Sequence, residues 1–210
     1  YLGRGCKCNF KKACSYFEMA LDEGNVYALN AYGAMLDRGT GIPKNKSEAC
    51  KYYKLAADQN LAQGKNNYGV MLYNGEGTMR NIKLAGRYFK EAADDNERTA
   101  MVNYGYMLEK GICMKVNRRE SSRYYYMGVG YNDSNAMKSY ASLLDRKGTY
   151  TDRNEAGRYF QLAADHNNII KTINYLATNF TRYIIPVEYN YNYRVVKKFV
   201  TFLYLFKSSM

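Results

Sequence analysis

The sequence predicts an all-α solenoid of antiparallel helix pairs. Three observations predict it: an internal repeat of 36 residues, two apolar stripes at helical spacing in each unit, and helix-ending residues at fixed registers between them. Ala31-Tyr32-Gly33-Ala34-Met35-Leu36 aligns with Asn67-Tyr68-Gly69-Val70-Met71-Leu72 and with Asn103-Tyr104-Gly105-Tyr106-Met107-Leu108. Ser139-Tyr140-Ala141-Ser142-Leu143-Leu144 follows at the same spacing, and Asn174-Tyr175-Leu176-Ala177 comes 35 residues later. A second block runs in parallel: Tyr16-Phe17, Tyr52-Tyr53, Tyr88-Phe89, Tyr124-Tyr125 and Tyr159-Phe160, with small pairs such as Ala56-Ala57, Ala92-Ala93 and Ala163-Ala164 just after it. A chain of 210 residues therefore reads as nearly six copies of one two-element unit.

Both elements read as helices. In the first, Tyr68, Met71 and Leu72 stand at i, i+3 and i+4. In the second, Ala85, Tyr88, Phe89, Ala92 and Ala93 continue one stripe, so each helix has a single apolar face. Asn45, Asn117 and Asp152 each stand three residues before a glutamate, a capping-box variant that starts the second helix. Gly24, Asn60, Asn96, Asn132 and Asn167 share one register after it, and Gly and Asn are the residues that best tolerate the left-handed conformation closing a helix. Gly39, Gly75 and Gly111 close the first helix in the same way, and Gly41, Gly77 and Gly148 continue the turn. Gly33, Gly69, Gly105 and Ala141 occupy one position on the first helix. A missing side chain there admits the second helix, and packing of the adjacent aromatic pair offsets the roughly 1 kcal/mol that glycine costs in a helix.

The units are a half repeat at 1–24, four full repeats over 25–167 and a degenerate repeat from 168, so the solenoid spans 1–180. A chain that opens on Tyr1 with a half unit is expected to lack upstream repeats. Residues 181–210 leave the pattern and contain Pro186; they are expected to cap the solenoid, with an unstructured aromatic tail or an interfacial or partner-binding segment as alternatives. The run Phe199 to Phe206 is far shorter than the roughly 20 residues that span a bilayer.

Composition narrows the function classes. A chain 47% hydrophobic and 24% charged is neither disordered nor of low complexity. The net charge of +12 is concentrated in the second half, a field that aids solubility and can also favour acidic partners, anionic membrane surfaces or nucleic acid. Five cysteines in no paired framework point to free thiols and a cytoplasmic setting. Cys6-Lys7-Cys8 is too short for a zinc knuckle, so no metal site is expected. Cys14 and Cys50 share a repeat position and read as small core residues. The one histidine, His166, reads as a residue complementing the dipole at the end of a second helix. With one histidine and no phosphate-binding loop or dinucleotide fingerprint, neither catalysis nor a cofactor is expected. Asp22-Glu23 and Asp94-Asp95 recur at helix ends and read as solvated termini rather than an acid/base pair. The 24 tyrosines fall mostly on core registers, which disfavours a role in stacking nucleic acid bases.

The block Asn67 to Gly77, followed by Tyr88-Phe89-Lys90-Glu91-Ala92-Ala93, resembles the Sel-one-like repeat family, a relative of the tetratricopeptide repeat. The glycine-x-glycine turn and the alanine pair carry the resemblance. It implies a right-handed superhelix that scaffolds protein complexes without catalytic residues of its own, with the first helices lining the concave face. On that face Asn30, Asn66, Asn67, Val70, Tyr73, Asn74, Asn103, Tyr106, Lys110 and Asn174 are the candidate partner-binding residues. Gln63, Asn66, Val70, Tyr73 and Asn74 point away from the core in this reading. The asparagines suit an extended peptide backbone because each both donates and accepts; the alternative is that they bond within their own helix pair. The expected partner is a protein or peptide. Two other roles stay open: an adaptor of endoplasmic-reticulum-associated degradation, which an upstream signal peptide would favour, and a secreted β-lactamase-like hydrolase, whose cysteine spacing is absent here.

Gly128-Val129-Gly130 replaces the alanine pair of other units, and each glycine weakens a helix by roughly 1 kcal/mol. The softest joint is therefore predicted at residues 126–133. Hydrogen exchange should show these amides less protected than those of 84–95; equal protection would refute the assignment.

Overall fold

The computed structural model describes residues 16–179 except 18, 22 and 148, with side chains followed to residue 167 apart from 147 and 150. The described helices are α1 (Val26–Arg38), α2 (Lys46–Asp58), α3 (Ala62–Asn74), α4 (Ile82–Asp94), α5 (Arg98–Lys110), α6 (Arg118–Gly130), α7 (Ser134–Lys147) and α8 (Tyr150–Asn179). Residues 1–173 form one compact unit and 174–210 a second. Among the described residues there is no strand, and from α1 to α7 the packing is chiefly between consecutive helices. The half repeat at 1–24, Cys6, Cys8 and Cys14, and the 181–210 segment lie wholly or mostly outside the described residues.

One arrangement recurs in each of the four described helix pairs. The first-helix tyrosine meets the leading ring of the second-helix pair edge to face: Tyr32–Tyr52, Tyr68–Tyr88 and Tyr104–Tyr124 at 5.0 Å between centroids, and Tyr140–Tyr159 at 5.1 Å. Such a pair adds about 0.5–1.5 kcal/mol beyond its burial. The second ring lies over the neighbouring glycine. A Cβ at Gly33 would sit 3.0 Å from Tyr53, one at Gly69 2.8 Å from Phe89, and one at Gly105 2.7 Å from Tyr125. The close approach expected from the glycine register is thus made by a ring. In the last described pair Ala141 stands at this register, where a methyl takes the space the ring uses elsewhere. The equivalent ring, Phe160, is 43% exposed.

Consecutive pairs meet through small residues. A Cβ at Gly64 would lie 2.6 Å from Ala56 Cβ, and one at Gly128 2.6 Å from Ala136 Cβ, while the middle crossing carries the fully buried Ala92 and Ala100. Gly128 is therefore a packing glycine as well as a weak helix former, and α6 runs unbroken to Gly130. Gly130 has nothing near it.

The punctuation follows the sequence at most positions. Gly39, Gly75 and Gly111 close the first helices with φ of 73°, 74° and 67°. Gly24, Asn60, Asn96 and Asn132 are left-handed at the ends of second helices. Asn45 and Asn117 cap through the N–H of Glu48 and Glu120, and Asn81 does the same to Leu84 without a glutamate. In the turn after the first helix, Cys113 holds φ 57° where Gly41 and Gly77 stand in the earlier units.

Three expectations are corrected. Asp152 is not a cap: Thr149 Oγ1 accepts from the Asp152 N–H at 3.1 Å, and the helix starts at Tyr150. Asn167 does not end the second helix, because α8 runs through it. His166 consequently lies within a helix, with no helix end there for it to complement. Asparagine tolerates the left-handed state but does not impose it, and at Asn167 the helical conformation continues instead.

Gly69→Ala is predicted to destabilise by about 1–3 kcal/mol despite alanine's better helix propensity, because its methyl would enter the Phe89 ring. Gly130→Ala should stabilise by about 0.5–1 kcal/mol, and Gly128→Ala should destabilise. Urea unfolding of the three variants checks the order; a stabilised Gly69→Ala would show that the ring does not need the glycine.

Candidate partner-binding face

Successive first helices are joined by side chains 37 residues apart, one more than the repeat. Asn67 Nδ2 donates to Asn30 Oδ1 at 2.8 Å, and Asn103 Nδ2 donates to Asn66 Oδ1 at 2.9 Å. These two rungs tie α1 to α3 and α3 to α5. They correct the idea that the asparagines bond within their own pair. They also correct Asn66, which is only 5% exposed because the following first helix covers it. The third rung would join Val102 to Ser139, and valine offers no side-chain acceptor there. The link moves to the other end of the helices, where Arg146 Nη1 donates to Glu109 Oε1 at 2.7 Å.

Glu109 is a hub. Its carboxylate also accepts from Lys110 Nζ at 3.0 Å and from the Tyr125 hydroxyl at 3.1 Å, and its side chain is 9% exposed. Burial pushes the Glu109 carboxyl up, but the Lys110 ammonium, the Tyr125 hydroxyl and the Arg146 guanidinium overcome it, and the net shift is below the ordinary glutamate range. Burial and the facing carboxylate raise the Tyr125 hydroxyl strongly, so it stays a donor. On the opposite side the Tyr124 hydroxyl donates to Asp94 at 2.7 Å and joins two second helices.

Of the remaining candidates, Val70 and Tyr73 are half-buried and pack partly on the core, with Tyr73 tilted against Phe89 at 6.4 Å. Asn74 is exposed. Tyr106 is 45% exposed, and the Lys110 ammonium lies 5.8 Å from its ring centre. Asn30, Asn67 and Asn103 are half-buried, each with one rung bond and further amide capacity. The side chain of Asn174 lies outside the described residues. The first-helix face therefore carries Val70, Tyr73 and Tyr106 as an apolar row, bordered by amides on one side and by Arg38, Asn74, Lys110 and Arg146 on the other.

Several contributors were not singled out from the sequence. Arg80 Nε donates to the Tyr73 carbonyl at 2.9 Å and stands 6.0 Å over its ring. Lys65 replaces the Leu29, Met101 and Met137 of its register; it is 7% exposed and reaches Asp95 at 2.7 Å. The fully buried Ser121 stands where Ala49 and Ala85 stand and donates to the Gly105 carbonyl at 2.8 Å. Cys50 is buried, which pushes its thiol up against a weaker opposing contact from Thr78, while Cys113 is exposed. Among the described residues no group of three or more His, Cys, Asp or Glu could hold a metal, and no helix is long and apolar enough to cross a membrane.

Stacked helix pairs with an accessible first-helix face define a helical-repeat scaffold. The chain belongs to the Sel1 repeat family, whose model matches residues 1–25, 26–61, 62–97, 99–128 and 134–168. Proteins of this kind act as protein-interaction scaffolds and are typically not enzymes. The fold is similar to a Sel1 repeat protein from Oxalobacter formigenes, with a TM-score of 0.70 and 28% identity over 76% of this chain and 66% of that one. It is also similar to a protective antigen of uropathogenic Escherichia coli displaying an SLR fold, with a TM-score of 0.68 and 22% identity over 82% of this chain and 37% of that one. The chain thus spans less than two thirds of either protein. No curated protein sequence matches it significantly.

The stability that Glu109 supplies in its ionised form is present above the pKa of an unfolded glutamate and lost as pH falls through its depressed native value. Glu109→Gln should therefore lower the melting temperature at pH 7, and the gap to wild type should close toward pH 3. A gap independent of pH would show that the charge is not what the hub uses.

Proposed function

We propose that the first-helix face binds an extended segment of a protein partner. The observation that carries this is the row Val70, Tyr73 and Tyr106, presented by two successive first helices, α3 and α5, that the Asn103–Asn66 rung holds in register. Tyrosine offers large contact area at low entropic cost, and a rigid platform reduces what binding must order. The half-buried amides of Asn30, Asn67 and Asn103 border the row, where they can meet peptide N–H and C=O groups.

Selection of a random dodecapeptide display library on the folded protein tests the reading. Recovered peptides should bind Tyr106→Ala at least about tenfold more weakly, since exposed aromatic anchors dominate such contacts. They should bind Lys54→Ala, on a second helix, as they bind wild type. Tyr106 is suited to the test because its removal breaks no rung, whereas Asn67→Ala or Asn103→Ala would loosen the stack itself. An empty selection, or binding indifferent to Tyr106, would overturn the assignment.

A further inference from the structure

Each junction between consecutive pairs has a position on the second helix that faces the following unit, occupied by Cys50, Gly86 and Ser122 in turn. At the first junction Cys50 is buried and interacts with Thr78 of the following turn. At the second, a Cβ on Gly86 would meet Met107 at 2.9 Å and Met114 at 3.6 Å, so methionines fill the space. At the third there is an opening of about 460 Å³ lined by Arg118, Ser122, Leu143 and Arg146. The turn residue that would correspond to Thr78 and Met114 falls in a segment one residue shorter than in the earlier units.

The lining has a definite chemistry. Among the described residues no carboxylate lies within ion-pair distance of Arg118, while Arg146 shares Glu109 with Lys110. Two cations therefore draw on one carboxylate while a third, Arg118, has none among the described residues, and a guanidinium presents a planar fork suited to an oxyanion. Leu143 gives the opening an apolar wall and Ser122 a hydroxyl. An oxyanion carried on a short alkyl stem fits this combination. The location also ties it to the first-helix face, because Arg146 bonds Glu109, which stands one helical turn from Tyr106. Neighbouring helices pack about 8–10 Å apart, roughly three residues of extended chain.

We propose that this opening receives an anionic side chain of the bound peptide, placed about three residues from the one that covers Tyr106. The proposal rests on the peptide-binding reading of the first-helix face and adds a specificity to it. An aspartate or glutamate carboxylate and a phosphorylated serine share the required chemistry.

The test uses the peptides recovered from the dodecapeptide selection, synthesised with glutamate, phosphoserine or glutamine at the acidic position and titrated against the full chain. Acidic residues should be enriched in the selected set. Arg118→Gln should weaken the glutamate or phosphoserine peptide about tenfold at low salt, with a smaller loss at high salt. The glutamine peptide should bind wild type and Arg118→Gln alike, and Arg119→Gln should change nothing. A preference for glutamate over phosphoserine identifies a carboxylate as the ligand, and the reverse a phosphate; equal binding of the glutamine peptide overturns the proposal. Peptides that depend on Tyr106 but show no acidic enrichment would overturn the acidic pocket and leave the peptide face standing. An empty selection would overturn both.

Discussion

The structure depends on one packing constraint: a tyrosine and a glycine, adjacent on the first helix, receive two adjacent rings from the second. The tyrosine meets the first ring edge to face and the glycine lies under the other. The two contacts set distance and rotation together, because a helix that slid would lose the edge contact and one that rolled would drive the second ring into backbone. Within each pair the two contacts together set how the second helix lies on the first. The Ala141 pair shows the constraint from the other side. It keeps the edge contact of Tyr140 and Tyr159, while Phe160 is left partly exposed.

Between units the geometry is looser and the chemistry more varied. Small residues let consecutive helices cross closely at Ala56 and Gly64 and at Gly128 and Ala136, with glycine on either side of the same crossing. Polar links then set the register of the first helices. An asparagine rung is a neutral hydrogen bond worth about 0.5–1.5 kcal/mol net, and a charge-assisted one somewhat more. The change from Asn–Asn to Glu–Arg at the third junction keeps a link but moves it along the helix by about two turns.

The fold was legible because its signals are periodic and local. A glycine every 36 residues beside a tyrosine, and a left-handed residue at each helix end, mean the same thing in every unit. Where the period slips by one residue, the reading failed: Asn167 resembles Asn60 and Asn96 but lies inside α8, and Thr149 rather than Asp152 caps that helix. The face was legible only as a list of outward registers. The asparagines pair at a spacing of 37, one residue off the repeat, because adjacent first helices sit side by side with an axial offset. Nothing in a single unit reveals that offset. Across units, the two asparagine pairs and the Glu109–Arg146 pair at a spacing of 37 carry its signal. Lys65 and Ser121 were hidden for a related reason: each is a polar residue in an apolar register, and its partner, Asp95 or the Gly105 carbonyl, is known only from the packing.

These observations also say where a repeat protein can hold a specific site. Positions inside a pair are held by the ring and glycine constraint, so a change there threatens the unit. Positions at a junction have only to fill space or keep register, and the three junctions here do so with a thiol and a threonine, with two methionines, and with a serine beside two arginines. Chemical individuality therefore accumulates at junctions. A partner that crosses successive first helices meets outward positions that change from unit to unit, Ala34, Val70, Tyr106 and Ser142 at one register, and then a junction unlike the others. Affinity can come from the aromatic first-helix positions and discrimination from the junction, because at both the sequence departs from its own period without loosening a helix pair.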